Sequence, residues 1–237
     1  MPAWMTWDFA VRFLTITLID LALSGDNAIV IGMAAASLPP AKRKMAILFG
    51  GVLAIALRVG LTSVATLLML VPLLSAAGGL VLIWVVYRLL KTGPDKDQEK
   101  SRAREARSFR QAIFLILTAD FMMSLDNIIA VAGSAHGNLV LLIAGLALSM
   151  PLLMVTGGVI ARLIDKARWL IYVGAAAISF TAARMVFEDR IIEERLHTVP
   201  IVVILVSVAA AIVVPGVFVL ASRRKAAAES PHGRAAR

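Results

Sequence analysis

The sequence predicts an all-α polytopic membrane protein: seven transmembrane helices, arranged as a 3+3 inverted-topology repeat plus one C-terminal helix. Three observations carry this expectation. The 237-residue chain is 60% hydrophobic with a mean hydropathy of +0.87, outside soluble globular usage. Apolar runs near the ~20 residues needed to cross about 30 Å of hydrocarbon recur along the chain without strand-like alternation, so the spans are helices. Two polar octets lie inside such runs at a constant offset of 100 residues, Asp20 to Asn27 (D-L-A-L-S-G-D-N) and Asp120 to Asn127 (D-F-M-M-S-L-D-N).

The elements follow in order. Span one covers about Phe9 to Ala36, opened by Trp4 and Trp7 as an interfacial belt and closed by Pro39-Pro40 and the basic residues Lys42, Arg43 and Lys44. Span two, about Met45 to Leu70, carries a mid-membrane Arg58 and stops at Pro72. Span three, about Leu73 to Leu90, ends with Trp84, Tyr87, Arg88 and Lys91. The hydrophilic linker from Thr92 to Arg110 holds six basic residues and is expected to lie on the membrane surface, as a helix if it is ordered. Span four, about Gln111 to Ala135, contains the second octet and precedes a polar turn, His136-Gly137-Asn138. Span five, about Leu139 to Ile164, contains Pro151 and Gly157-Gly158, signals for a kink or close helix packing. Span six, about Trp169 to Phe187, leads into an acidic loop, Glu188 to His197, read as solvated or as an exit funnel for cations. Span seven runs from about Pro200 to Ala221.

A single transporter domain is expected over residues 1–222, with repeat one at 9–91, repeat two at 111–187 and the extra helix at 200–221. Residues 223–237 read as a disordered basic tail. Loops after spans one, three and five, with the tail, hold most of the 24 Lys and Arg residues, whereas the opposite loops hold only Arg190 and Arg195. The positive-inside rule then puts the N-terminus outside and the C-terminus in the cytoplasm. The same segregation makes the net charge of +9 a topology signal rather than a nucleic-acid surface. There is no cysteine, which excludes disulfides, thiolate ligands and a Cys nucleophile. No basic n-region or small-residue cleavage site precedes span one, so no removable signal peptide is expected.

The repeat extends past the octets: Leu73 to Leu90 aligns with Trp169 to Val186 at an offset of 96, pairing Gly78 with Gly174, Trp84 with Phe180 and Arg88 with Arg184. Three spans per copy force the second copy to cross in the opposite sense, the construction of many secondary transporters, whose substrates bind near the midplane.

Four carboxylates in hydrocarbon need partners. One Asp at a bilayer centre costs about 2.5–3.5 kcal/mol on insertion scales. At about 100° per residue, Asp20, Ser24 and Asn27 share a helix face while Asp26 points away. Convergence therefore needs a break, which Gly25 supplies in the first copy; Leu125 makes it less secure in the second. Asp20, Asp26, Asn27, Asp120, Asp126 and Asn127 are the candidate cation ligands, with Ser24, Ser124, Met122, Met123 and Arg58 around them. Such an oxygen set suits Mn²⁺, Mg²⁺ or Ca²⁺ and argues against Zn²⁺ or Cu⁺; a Met thioether would tilt the choice to a transition metal. Arg58 reads either as neutralising part of this charge in one transport state or as snorkelling to a polar cavity. Desolvation and repulsion disfavour four ionised carboxylates side by side, so proton exchange is the expected coupling.

With both octets placed, the chain resembles the TerC family of integral membrane proteins, on L-S-G-D-N-A at Leu23 to Ala28 and S-L-D-N-I at Ser124 to Ile128, each preceded by its Asp. The likeness covers roughly Asp8 to Ala221. It implies a seven-span fold related to lysine-exporter-type carriers and, for bacterial members, efflux of manganese across the inner membrane. In that reading Mn²⁺ is cargo, no prosthetic group is needed, and the bilayer, the divalent cation and protons are the partners, with an oligomer open. An amino-acid exporter on the same scaffold and an intramembrane aspartyl protease using two of the Asp residues are the competing readings.

Overall fold

The computed structural model describes residues 7–68, 71–91, 102–135, 139–196 and 200–228. Its elements, all helical, are α1 (Trp7–Leu23), α2 (Gly25–Ala36), α3 (Pro40–Ser63), α4 (Ala65–Leu68), α5 (Leu74–Lys91), α6 (Arg102–Ala135), α7 (Leu139–Lys166), α8 (Leu170–Phe187), α9 (Arg190–Leu196) and α10 (Pro200–Ala228). Among the described residues, six helices are long and apolar enough to cross a membrane, and α1 with α2 makes a seventh when the bent pair counts as one span. Trp4, Lys96, Lys100, the turn His136-Gly137-Asn138, His197 and residues 229–237 lie outside the described residues.

The bend between α1 and α2 is 55°. Ser24 leaves helical geometry at φ −105°, ψ 13°, and Gly25 follows with nothing within 4 Å of where its Cβ would sit. Asp26 then falls in the first turn of α2, where the helix dipole favours a carboxylate. The second octet behaves differently, because α6 runs unbroken through Ser124 to Asn127. Leu125, a good helix former, is buried and packs in one cluster with Leu61.

Element ends differ from expectation where polar sequence continues a helix. The basic stretch from Arg102 is the start of α6, and α10 runs past Ala221 to Ala228. The acidic loop after α8 contains α9. Its Asp189 is buried rather than solvated: Oδ1 accepts from the Ile191 N–H at 3.1 Å and Oδ2 from the Ala76 N–H at 3.2 Å. One carboxylate therefore satisfies orphan donors at the starts of both α9 and α5.

The most extensive contacts join α2 to α7, α5 to α8, α10 to α8 and α3 to α6. Lipid tails are as apolar as Leu, so close van der Waals packing, not hydrophobicity, holds such helices together. Small residues make it possible. A Cβ on Gly157 of α7 would stand 3.2 Å from the Ala28 carbonyl oxygen of α2. Val30, Met33, Leu82, Val85, Ile116 and Ile178 form the centre of the bundle, while Leu18, Phe49, Leu80, Val155 and Leu205 are exposed on faces suited to lipid. At the basic end, Arg88 and Lys91 lie over the rings of Trp84 and Tyr87. Arg43 there pairs with Asp165 and donates to the Leu38 and Ala36 carbonyls, closing the C-terminus of α2.

Candidate functional site

The break between α1 and α2 sets Asp20 and Asn27 facing α6, while α3 brings Arg58 and α7 brings Ser149 to the same point. All of these, with Asp120, are at most 5% exposed. Arg58 stands between the two carboxylates. Its Nη1 donates to Asp20 Oδ1 and, at 3.0 Å, to Ser24 Oγ. Its Nη2 donates to Asp120 Oδ1 at 2.8 Å, and Nε reaches both Asp120 oxygens at 3.2 and 3.4 Å. This forked approach is the strong form of the Arg–carboxylate pair. Asn27 Nδ2 adds a bond to Asp120 Oδ1 at 3.0 Å. Asp20 also accepts from Ser24 Oγ at 3.2 Å and from Ser149 Oγ at 2.6 Å.

The cost of burying acids is met here by pairing, since removing one partner of a buried ion pair costs about 3–5 kcal/mol. Two carboxylates against one guanidinium leave a formal charge of −1. Arg58 is thus a bridge between the halves of the chain, and snorkelling does not describe it.

Asp26 takes no part in that network. Thr181 Oγ1 of α8 donates to its Oδ2 at 3.1 Å, and its Oδ1 is buried with no hydrogen-bond partner. Asn27 Oδ1 and Ser124 Oγ are likewise buried and unpartnered. Beside Asp26 lies a cavity of about 450 Å³, lined by Met123, Thr181, Arg184, Met185 and Glu188 among others. A neighbouring cavity of about 620 Å³ shares Arg184 and Glu188 and reaches Glu193. Arg184 and Glu188 are paired within the wall.

Of the residues singled out in the sequence, Asp20, Ser24, Asn27, Arg58 and Asp120 meet in one network. Met123 lines the cavity, whereas Met122 packs toward Gly78. The side chains of Asp126 and Asn127 lie outside the described residues. Among the described residues, no three His, Cys, Asp or Glu side chains are grouped to hold a metal ion. Ser149, Thr181 and Met185 belong to the site and were not anticipated. A polar residue inside an apolar span is itself a signal, and Ser149 and Thr181 both carry it.

Fold and site together define a polytopic helical membrane protein with an ionisable centre sealed between its helices. The chain belongs to the TerC family: the profile of the Integral membrane protein TerC family matches residues 5–227. It is 40% identical over 186 residues to YjbE of Bacillus subtilis (strain 168), described as an uncharacterized membrane protein, covering 78% of this chain and 84% of that one. It is 27% identical over 180 residues to the inner membrane protein YgdQ of Escherichia coli (strain K12), covering 69% of this chain and 75% of that one. No solved structure matches the chain significantly.

Proposed function

We propose that the protein is a carrier exporting a divalent cation, Mn²⁺, from the cytoplasm across the inner membrane. The observation that carries this is Asp26: a carboxylate placed at a helix break inside a membrane bundle, one oxygen unpartnered, on the wall of a cavity. Broken helices of this kind carry the ion sites of many carriers. Met123 and Met185 on the same wall favour a transition metal over Ca²⁺ or Mg²⁺.

A two-fold repeat of the kind expected from the octets belongs to the same reading. Exchanging α1/α2 with α6, α3 with α7 and α5 with α8 maps the α2–α7 contact onto α6–α3 and the α5–α8 contact onto itself, and all three are extensive. With the basic loops in the cytoplasm, the Arg43–Asp165 end is cytoplasmic, and Glu188 and Glu193 in the cavity walls belong to the opposite end. Exchange against protons belongs to this reading. Arg58 set between Asp20 and Asp120 speaks against an aspartyl protease, whose dyad shares a proton directly between two carboxylates.

The test is cellular manganese content after expression of the wild type and of Asp26→Asn and Asp126→Asn variants. Manganese falls with the wild type and recovers with the variants; manganese unchanged in all three defeats the proposal. Flux in proteoliposomes that ignores an imposed pH gradient removes the proton component alone.

A further inference from the structure

We infer that Arg58 is a tethered counter-cation: it occupies the Asp20–Asp120 pair whenever cargo is absent, and cargo and guanidinium alternate there. This rests on the divalent-cation reading above and adds to the Asp26 wall a second position for the cargo, the Asp20–Asp120 pair.

Occupancy comes first. Arg58 commits Nε, Nη1 and Nη2 to the two carboxylates, so a cation bridging Asp20 Oδ1 and Asp120 Oδ1 cannot share the space with it. Binding of cargo and departure of the guanidinium are one event. Charge comes second. Releasing Arg58 exposes a formal −2, which a divalent cation neutralises and a monovalent one does not. Geometry comes third. Asp20 and Asp120 are carried by α1 and α6 and Arg58 by α3, so a shift of α3 against that pair can withdraw the guanidinium without dismantling the acids. Asp26, with its unpartnered oxygen, is an acceptor on the cavity side for the displaced group.

The empty carrier has to return across the membrane. Two bare carboxylates in the bundle would prevent that, because buried charge without a partner is strongly disfavoured. Arg58 supplies the partner from within the chain. Where no proton takes its place on the two carboxylates, a carrier without it can swap one cargo ion for another but cannot release one and come back empty.

The experiment uses the full chain in proteoliposomes at neutral pH, with radiolabelled Mn²⁺ measured in two modes. One is net efflux into Mn²⁺-free medium; the other is exchange with unlabelled Mn²⁺ on both sides. Arg58→Gln is expected to lose net efflux by about tenfold or more while exchange stays within about threefold, and Arg58→Lys to retain net efflux at a reduced rate. A parallel fall of both modes in Arg58→Gln, or undiminished net efflux, overturns the inference. A second measurement needs no variant: saturating Mn²⁺ should increase modification of Arg58 in the wild type by an arginine-specific dicarbonyl, read by mass spectrometry. Unchanged modification also overturns it. Wild type that moves Mn²⁺ in neither mode defeats the export reading instead, and the two failures are distinct.

Discussion

Asn27 Nδ2 donates to Asp120 Oδ1 at 3.0 Å, joining the first turn of α2 to α6 across 93 positions of sequence. The bond ties the two octets directly and holds the α1–α2 bend against an unbroken helix. Asn27→Ala removes a donor from a buried, charged acceptor, for which the cost is about 1–3 kcal/mol. The variant should melt below wild type in detergent, and Asn27→Asp, which sets another carboxylate beside Asp120, lower still. Equal melting temperatures for wild type and Asn27→Ala would remove this bond from the account of the bend.

Two buried serines offer a contrast. Ser149 Oγ donates to Asp20 Oδ2 at 2.6 Å, whereas Ser124 Oγ is buried with no partner. A hydrogen bond to a charged group contributes about 1.5–3 kcal/mol, while deleting an unsatisfied hydroxyl is near neutral or stabilising. Thermal unfolding should therefore rank Ser149→Ala well below wild type and Ser124→Ala at or above it. The reverse ranking contradicts the network. Reduced flux in a stable Ser124→Ala protein would point to contact between that hydroxyl and the cargo.

What the sequence made legible was whatever is written locally. Hydropathy located the spans, and the Ser24-Gly25 step located the break, because both depend on neighbouring residues. Helical spacing alone put Asp20, Ser24 and Asn27 on one face, but their meeting in the structure depends on the bend after Ser24. The partners across the bundle did not. Arg58 was open to two roles because its depth in α3 says nothing about which helix it faces; packing of α3 against α6 decides that. Ser149 and Thr181 belong to no motif, and only the α1–α7 and α2–α8 contacts bring them to Asp20 and Asp26. Asp189 was indistinguishable from its acidic neighbours until the start of α5 arrived beside it. The one local difference between the octets also told: Gly25 breaks its helix and Leu125, where a break was the less secure expectation, does not.

Glycines on α5 and α3 should respond oppositely to a methyl group. A Cβ on Gly79 would stand 2.8 Å from Val186 Cγ2 and collide with the Ala182 carbonyl oxygen, which is backbone and cannot swing aside. Gly60 has nothing within 4 Å. Overpacking typically costs about 1–3 kcal/mol, whereas Gly→Ala at an unobstructed helical site gains about 0.4–1 kcal/mol. Gly79→Ala should lower the melting temperature by forcing α5 from α8, and Gly60→Ala should leave it unchanged or raised. A Gly79→Ala protein as stable as wild type would show that α5 and α8 pack less closely than described.

Arg43 and Asp165 form an ion pair whose two members should not matter equally. Asp165 is 41% exposed, and a pair open to solvent is worth about 0–1 kcal/mol. Arg43 does more: its Nε donates to the Leu38 carbonyl at 2.9 Å and its Nη2 to the Ala36 carbonyl at 3.2 Å, satisfying acceptors that the end of α2 leaves orphaned. Those bonds persist when Asp165 is truncated and vanish when Arg43 is. Asp165→Ala should cost under about 1 kcal/mol and its effect should shrink in high salt. Arg43→Ala should cost more, with a smaller fractional dependence on salt, because the carbonyl bonds are partly buried. Equal destabilisation, equally screened, would mean that the pair alone accounts for Arg43 and that α2 ends without its help.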